Sequence, residues 1–262
     1  MFLVKYSLEF IPLKTNNKLY IFSNYIKAYT CGISYISYTF SRSIPIYNSF
    51  YSCCYTSKIG GNVNIHLYNL INSVFRFRIT SLLNANGINK ITYIRGDYHS
   101  IRGNNLAYLK YLKETSSKLN IYLPIYTEFH SSTISTNFEI YRNTKKVSFS
   151  KAYRFITQST FDILSILSCI KVFNINKRNI YIGIPIILKR ECFFRFIKLC
   201  GVKLPLWIKK FLFKSDSISF QWKLIHILEI FISSLKVIGF TKLQFFTMNH
   251  IESIDLFFKE TA

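Results

Sequence analysis

Eight short runs of β-branched and aromatic residues recur about every thirty positions, with stretches of helical spacing between them. The runs are "VKYSLEF" (4–10), "YISYTF" (35–40), "NVNIHL" (62–67), "KITYIRG" (90–96), "NIYLPIY" (120–126), "RFITQ" (154–158), "NIYIGI" (179–184) and "KLQFFTM" (242–248). "NLAYLKYLKETSSKL" (105–119) sets Leu106, Leu109, Leu112 and Leu119 near one helical face, and 161–173 and 192–201 behave similarly. Gly201 is a helix stop, Pro205 opens the next element, and 220–239 is a long helix ending near Gly239. Strands alternating with helices demand parallel pairing through crossovers. Eight such units predict an α/β fold, a (β/α)8 TIM barrel, in a single domain over residues 1–262. An open doubly wound sheet is the alternative. Its nucleotide-binding form is weakened because no GxGxxG follows the first strand. No repeat, low-complexity tract or Pro/Gly/Ser linker divides the chain.

Composition bounds the partners. Half of the residues are hydrophobic, which argues against long disordered stretches. Lys and Arg total 34 against 12 acidic residues, a formal net charge of +22. Such a charge suits a polyanion, but the basic residues are scattered, densest at 208–214 and 144–146, with no arginine-rich arm or zinc finger. Abundant Ile, Phe, Tyr, Asn and Lys fit a bias toward AT-rich codons instead. The six cysteines form no CxxC pair, so free thiols in a reducing compartment, and a cytoplasmic protein, are expected. The first ten residues carry Lys5 and Glu9, which do not suit a signal peptide. His226, Glu229 and Lys236 interrupt the apolar C-terminal stretch, and no segment reads as a membrane span.

The strand ends are polar. Glu9 closes the first run and Thr39 the second, His66 lies at the third, Asp97 follows the fourth and Tyr126 the fifth. Gln158 closes the sixth, and Thr247 and Asn249 the eighth. In a parallel barrel all strand C-termini meet on one face, and that face holds the site. Seven of eight polar ends on one rim therefore form a candidate site.

These ends resemble the bacterial type of methylenetetrahydrofolate reductase. "LEFIPLKT" (8–15) is similar to that family's opening E-F-F-P-P-K/R-T, and "NIHLYN" (64–69) to its H-L-T-C strand. "NGINKITYIRGD" (86–97) resembles G-I-x-N-I-L-A-L-R-G-D, the most specific match. "IYTEFH" (125–130) resembles A-Y-P-E-x-H, and "FITQSTFD" (155–162) resembles F-I-T-Q-F-F-F-D. "CGVKLPLWI" (200–208) and "GFTKLQFFTMN" (239–249) resemble the last motifs, in the family's order.

The resemblance implies an oxidoreductase in which NAD(P)H reduces FAD, which then reduces 5,10-methylenetetrahydrofolate to 5-methyltetrahydrofolate in one-carbon and methionine metabolism. It suggests NADH over NADPH, and a homo-oligomer acting on small molecules, with no specific nucleic acid and no membrane. Glu9 becomes the general acid that helps open the folate ring, a role needing a raised pKa. Asp97 sits by flavin and pterin, also as a catalytic residue, and Gln158 hydrogen-bonds the pterin, since an amide both donates and accepts. Cofactor contacts fall on Thr39, His66, Arg95, Gly96, Asp97, Ala107, Tyr126 and His130, then by ungapped counting on Glu139 for a ribose hydroxyl and Lys146 for a phosphate. Phe196 and His250 complete the substrate contacts, with no metal expected. Plainer readings stand beside these: Glu9 as an exposed strand-end acid, Asp97 paired to Arg95, Gln158 as a satisfied barrel amide, Phe196 as core.

Several positions depart from the family. "GIPII" (183–187) is not P-G-I-M-P-I, and Cys192 stands near a usually polar helix position. Phe246 replaces a tyrosine, and His250 an arginine, a weaker anion partner. Two rival functions remain at this stage: another flavin barrel of the proline dehydrogenase kind, and a basic nucleic-acid- or ribosome-binding protein. The second needs clustered cations with interleaved exposed aromatics, whereas most aromatics here fall in strand and helix-core positions.

Overall fold

A computed structural model describes residues 4–12, 17–39, 46–68, 81–94, 119–128 and 154–261, with 111–112, 114, 135, 137, 140–141, 143–144 and 147 between them. Eight strands close into one parallel barrel in chain order. They are β1 (Lys5–Phe10), β2 (Ile33–Tyr38), β3 (Val63–Tyr68), β4 (Lys90–Ile94), β5 (Asn120–Ile125), β6 (Arg154–Ser159), β7 (Ile180–Pro185) and β8 (Lys242–Phe246). The barrel expected from the sequence is borne out, with every strand within a few residues of its predicted run. β1 closes the barrel on β8 by pairing Lys5 with Lys242 and Glu9 with Phe246.

The period-two alternation of each strand sorts its side chains between two environments. Outward residues such as Leu8, Ile65, Ile91, Ile182 and Leu243 are fully buried against the helices and carry most of the apolar core. Inward residues are polar through the barrel's middle: Ser7, Ser37, Asn64, Thr92 and Gln244 are all buried. Burying them is tolerable because they bond one another. Ser7 Oγ donates to Gln244 Oε1 at 2.6 Å, and Asn64 Nδ2 donates to Ser37 Oγ at 3.1 Å and Thr92 Oγ1 at 2.6 Å. Below them Tyr35, Tyr122 and Tyr181 pack ring on ring and fill the barrel floor.

Helices α1 (Lys18–Thr30) and α2 (Ile46–Lys58) follow β1 and β2, and α3 (Ile163–Phe173) follows β6. Between β7 and β8 lie α4 (Arg190–Cys200), α5 (Leu206–Phe213) and α6 (Ser217–Ile238); α7 (Ile251–Thr261) follows β8. Their ends carry the expected stops. Gly201 caps α4 at φ 64°, Pro205 precedes α5, and Gly239 caps α6 at φ 99°, where a side chain would be strained. The predicted helix over 105–119 falls mostly outside the described residues. One expectation is corrected: α6 is long and apolar enough, by length and composition alone, to cross a membrane. Its three charged side chains, Lys223, Glu229 and Lys236, are too few to lower its hydropathy further. Its apolarity has a local cause, since eight of its residues, Phe220 to Leu235, are buried in the packing against its neighbours.

Candidate active site

Glu9 is the next-to-last residue of β1, Thr39 follows β2, and His66 is near the end of β3. All three therefore arrive at the C-terminal rim on adjacent strands. The backbone holds them in step: Glu9 pairs with Ser37, and the Thr39 amide donates to Phe10 O at 2.9 Å beyond the last strand pair. The Thr39 hydroxyl then stands between two groups, 2.9 Å from Glu9 Oε1 and 2.5 Å from His66 Nδ1. His66 Nδ1 and Glu9 Oε2 are 4.0 Å apart, too far for a direct hydrogen bond.

Burial sets the charge of both ends. It pushes the Glu9 carboxyl up to about 7, with the Thr39 hydrogen bond pulling partly back. It pushes the His66 imidazole down to about 3. Near neutral pH the histidine is uncharged and the carboxyl is half protonated, so the pair is not an ion pair. The exposed-acid reading of Glu9 does not fit, because its side chain is only 17% exposed. His66 Nε2 is buried and has no hydrogen-bond partner among the described residues, and the same holds for Thr247 Oγ1 at the end of β8.

The other predicted residues divide. Gln158 on β6 donates through Nε2 to Cys200 O, the last residue of α4, at 2.5 Å. That leaves its carbonyl oxygen and second N–H for another partner. Tyr126, just past β5, is half-buried. Phe196 on α4 is buried with its ring 6.2 Å from that of Phe246 on β8, so it is at least part of the core. His250 is half-buried, its Nδ1 3.1 Å from Glu252 Oε1, which suits a histidine drawn toward its own helix start. Arg95, Gly96, Asp97, Ala107, His130, Glu139 and Lys146 lie outside the described residues.

Three features have roles that the sequence did not reveal. Asn249 clamps the end of β1, accepting from the Ile11 amide at 2.8 Å and donating to Ile11 O at 2.6 Å. It and Met248 both have positive φ, a strained turn at the rim. Glu128, the acid of "IYTEFH", accepts from Thr160 Oγ1 and from the Lys203 amide, each at 3.1 Å, and burial raises its pKa. Gly183 on β7 leaves no room for a side chain: a Cβ would lie 2.6 Å from Thr157 O and 2.7 Å from the Phe246 ring. The strand-end pattern held the signal for Asn249, and the quoted motif held it for Glu128.

No curated protein matches the chain. Among solved structures, an uncharacterized protein from Clostridium thermocellum that binds two copies of 5-methyl-5,6,7,8-tetrahydrofolic acid is 14% identical, with 99% of this chain and 95% of that one covered at a TM-score of 0.70. The coenzyme F420-dependent tetrahydromethanopterin reductase from Methanopyrus kandleri is 10% identical, with 98% of each chain covered at a TM-score of 0.58. At such identities the likeness speaks for the barrel alone. A family model described as methylenetetrahydrofolate reductase matches residues 3–261, and with that extent the chain belongs to the methylenetetrahydrofolate reductase family.

Proposed function

We propose that this chain reduces 5,10-methylenetetrahydrofolate to 5-methyltetrahydrofolate with FAD as cofactor and NADH as the preferred reductant over NADPH. The observation that carries the reading is Glu9, a carboxyl held inside a barrel rim with its pKa raised to about 7. A general acid must be protonated at working pH and yet able to give the proton up, and a pKa near 7 meets both needs. Family membership supplies the substrate class.

The described rim fits a flavin. His66 Nε2 and Thr247 Oγ1 are buried polar atoms without partners among the described residues, the state expected of groups waiting for a polar ligand. Thr39, His66 and Tyr126 would hold the cofactor, joined by Arg95, Gly96, Asp97, Ala107, His130, Glu139 and Lys146 from the resemblance. When bound, the flavin supplies the hydride that the protein itself cannot. Glu9 would give its proton to the folate nitrogen that leaves the five-membered ring. Gln158 orients the pterin through the carbonyl oxygen and N–H that Cys200 leaves unused. Phe196 and His250 border the substrate, and Asp97 tunes both flavin and folate. The same reading makes the protein a cytoplasmic homo-oligomer that works on small molecules, without nucleic acid or membrane.

Purified protein incubated with FAD should quench flavin fluorescence. NADH should then bleach the flavin band without oxygen, and methylenetetrahydrofolate should restore it. No quenching, or a bleached flavin that the folate leaves unoxidised, would remove this assignment.

A further inference from the structure

The three rim residues contain fewer hydrogens than their contacts can share, and that shortage has a consequence. Thr39 has one hydroxyl hydrogen and two neighbours, Glu9 Oε1 at 2.9 Å and His66 Nδ1 at 2.5 Å. It can donate to one and must accept from the other. When Glu9 is protonated, the best donor is the carboxylic acid and the best acceptor is the imidazole nitrogen. Glu9 then donates to Thr39, Thr39 donates to Nδ1, and the ring hydrogen of neutral His66 sits on Nε2. When Glu9 is ionised, its carboxylate is the best acceptor. Thr39 then donates to Glu9, Nδ1–H donates to Thr39, and Nε2 is bare.

These two states differ by one proton, and no heavy atom has to move between them. A proton arriving at Nε2 releases the Nδ1 hydrogen to Thr39 Oγ1, and Thr39 passes its own hydrogen to Glu9. One N–H bond forms at Nε2 and one breaks at Nδ1; one O–H bond forms and one breaks at Thr39; one O–H bond forms at Glu9. We propose that Glu9 regains its proton by this route, with His66 Nε2 as the port and Thr39 as the link. Nε2 is suited to the part because it is buried without a partner among the described residues, so another donor or acceptor can meet it there. Glu9 Oε2 stays outside the chain, 4.0 Å from Nδ1, and is free to face a substrate.

Burial keeps the endpoints apart in the useful sense. His66 stays neutral near pH 7 while Glu9 titrates, so the imidazole relays without trapping the proton. The elements packed against the pair add few charges. β2 brings Ser37 and Thr39, β8 brings Gln244 and Phe246, and β4 brings Thr92. The His250–Glu252 pair lies past β8, and Arg95 and Asp97, which follow β4, are outside the described residues. Thr39 and His66 are thus positioning residues for the acid. Their catalytic use rests on the proposed folate reduction, but the coupling itself does not.

Histidine nitrogen NMR of the ligand-free protein tests it. Over about two pH units either side of 7, His66 should exchange its Nε2–H form for its Nδ1–H form, with the midpoint at the Glu9 titration. Glu9→Gln, whose amide cannot ionise, should hold His66 at one fixed tautomer balance at every pH in that range. Thr39→Val should uncouple the ring, leaving one tautomer throughout, and Thr39→Ser should restore the exchange. A single tautomer across the range in the unmodified protein would overturn the chain, as would exchange that persisted in Glu9→Gln or Thr39→Val. The unmodified protein decides the matter even if a variant does not fold. Exchange in a protein that turns over no folate would sink the assigned activity and leave the chain standing; a fixed tautomer in an active enzyme would sink the chain alone.

Discussion

Glu9 costs the fold stability in the state that chemistry needs it to visit. An unfolded glutamate titrates near the ordinary value of 4.5, while burial moves the folded one to about 7. Between those values the folded chain binds a proton that the unfolded chain has lost, so stability falls as pH rises through this window. At pH 8 the loss is on the order of 3 kcal/mol. His66 works in the other direction: its folded value lies below the ordinary 6.5, and stability falls as pH drops from there toward 3. Glu9→Gln isolates the first effect. It should be more stable than the unmodified protein at pH 8 by up to that amount, with the difference fading to nothing near pH 4.5. Paired denaturant titrations at the two pH values would check this. Equal stability at pH 8 would mean that Glu9 is solvated after all.

At the scale of elements, β7 has a position with no room for a side chain. Its Gly183 faces the Thr157 carbonyl and the Phe246 ring, with contacts for an added Cβ below 3.0 Å. A backbone oxygen cannot give way as a side-chain tip can, so Gly183→Ala should force β6 and β7 apart. The expected cost is about 1–3 kcal/mol, read from a chemical denaturation midpoint; an unchanged midpoint would contradict the packing. The strands themselves were legible because apolar and aromatic runs survive any codon bias that keeps a core. Polarity inside the barrel was written in the same alternation, as in "KYSLEF", but only closure shows that Ser7, Ser37, Asn64, Thr92 and Gln244 meet one another. At the rim, Glu9, Thr39 and His66 could be read singly as strand ends. Their sharing of one hydroxyl could not, because it depends on the stagger between β1, β2 and β3. The donation from Gln158 to Cys200 O is equally invisible, since it spans α3, β7, α4 and 42 positions. The length and apolarity of 217–238 were under-read for a related reason: apolarity demanded by a packed layer and by a bilayer look alike in sequence.

The whole molecule divides its polar chemistry between two ends. The C-terminal rim holds a carboxyl with a raised pKa and a neutral histidine, while the N-terminal floor gathers cations. Lys90, Arg154 and Lys242 each lie over one of the floor tyrosines, Tyr35, Tyr122 and Tyr181. Arg154 also donates to the Tyr122 hydroxyl at 3.0 Å. Burial, then Arg154 and Lys5, push both Lys90 and Lys242 down to about 8. The unfolded lysines hold their protons to about 10.5, so each contributes stability that rises with pH from 8 to 10.5. Thermal scans should therefore show the unmodified protein gaining on Lys90→Met across that window. A constant difference would mean that neither burial nor the neighbouring cations depress Lys90. The +22 charge is thus felt at least partly as self-repulsion inside the fold, which its composition alone could not reveal.

The measurement closest to the centre of this reading separates the two half-reactions with Glu9→Gln. Hydride transfer from NADH to the flavin requires no proton from Glu9, whereas opening the folate ring does. Stopped-flow absorbance of the flavin band follows its bleaching by NADH and its recovery with methylenetetrahydrofolate. Bleaching should stay within about tenfold of the unmodified protein, roughly 1.4 kcal/mol of barrier. Recovery should slow by on the order of a hundredfold, the usual contribution of a positioned general acid. Equal slowing of both halves would make Glu9 a structural or flavin-positioning residue and end its assignment as the acid.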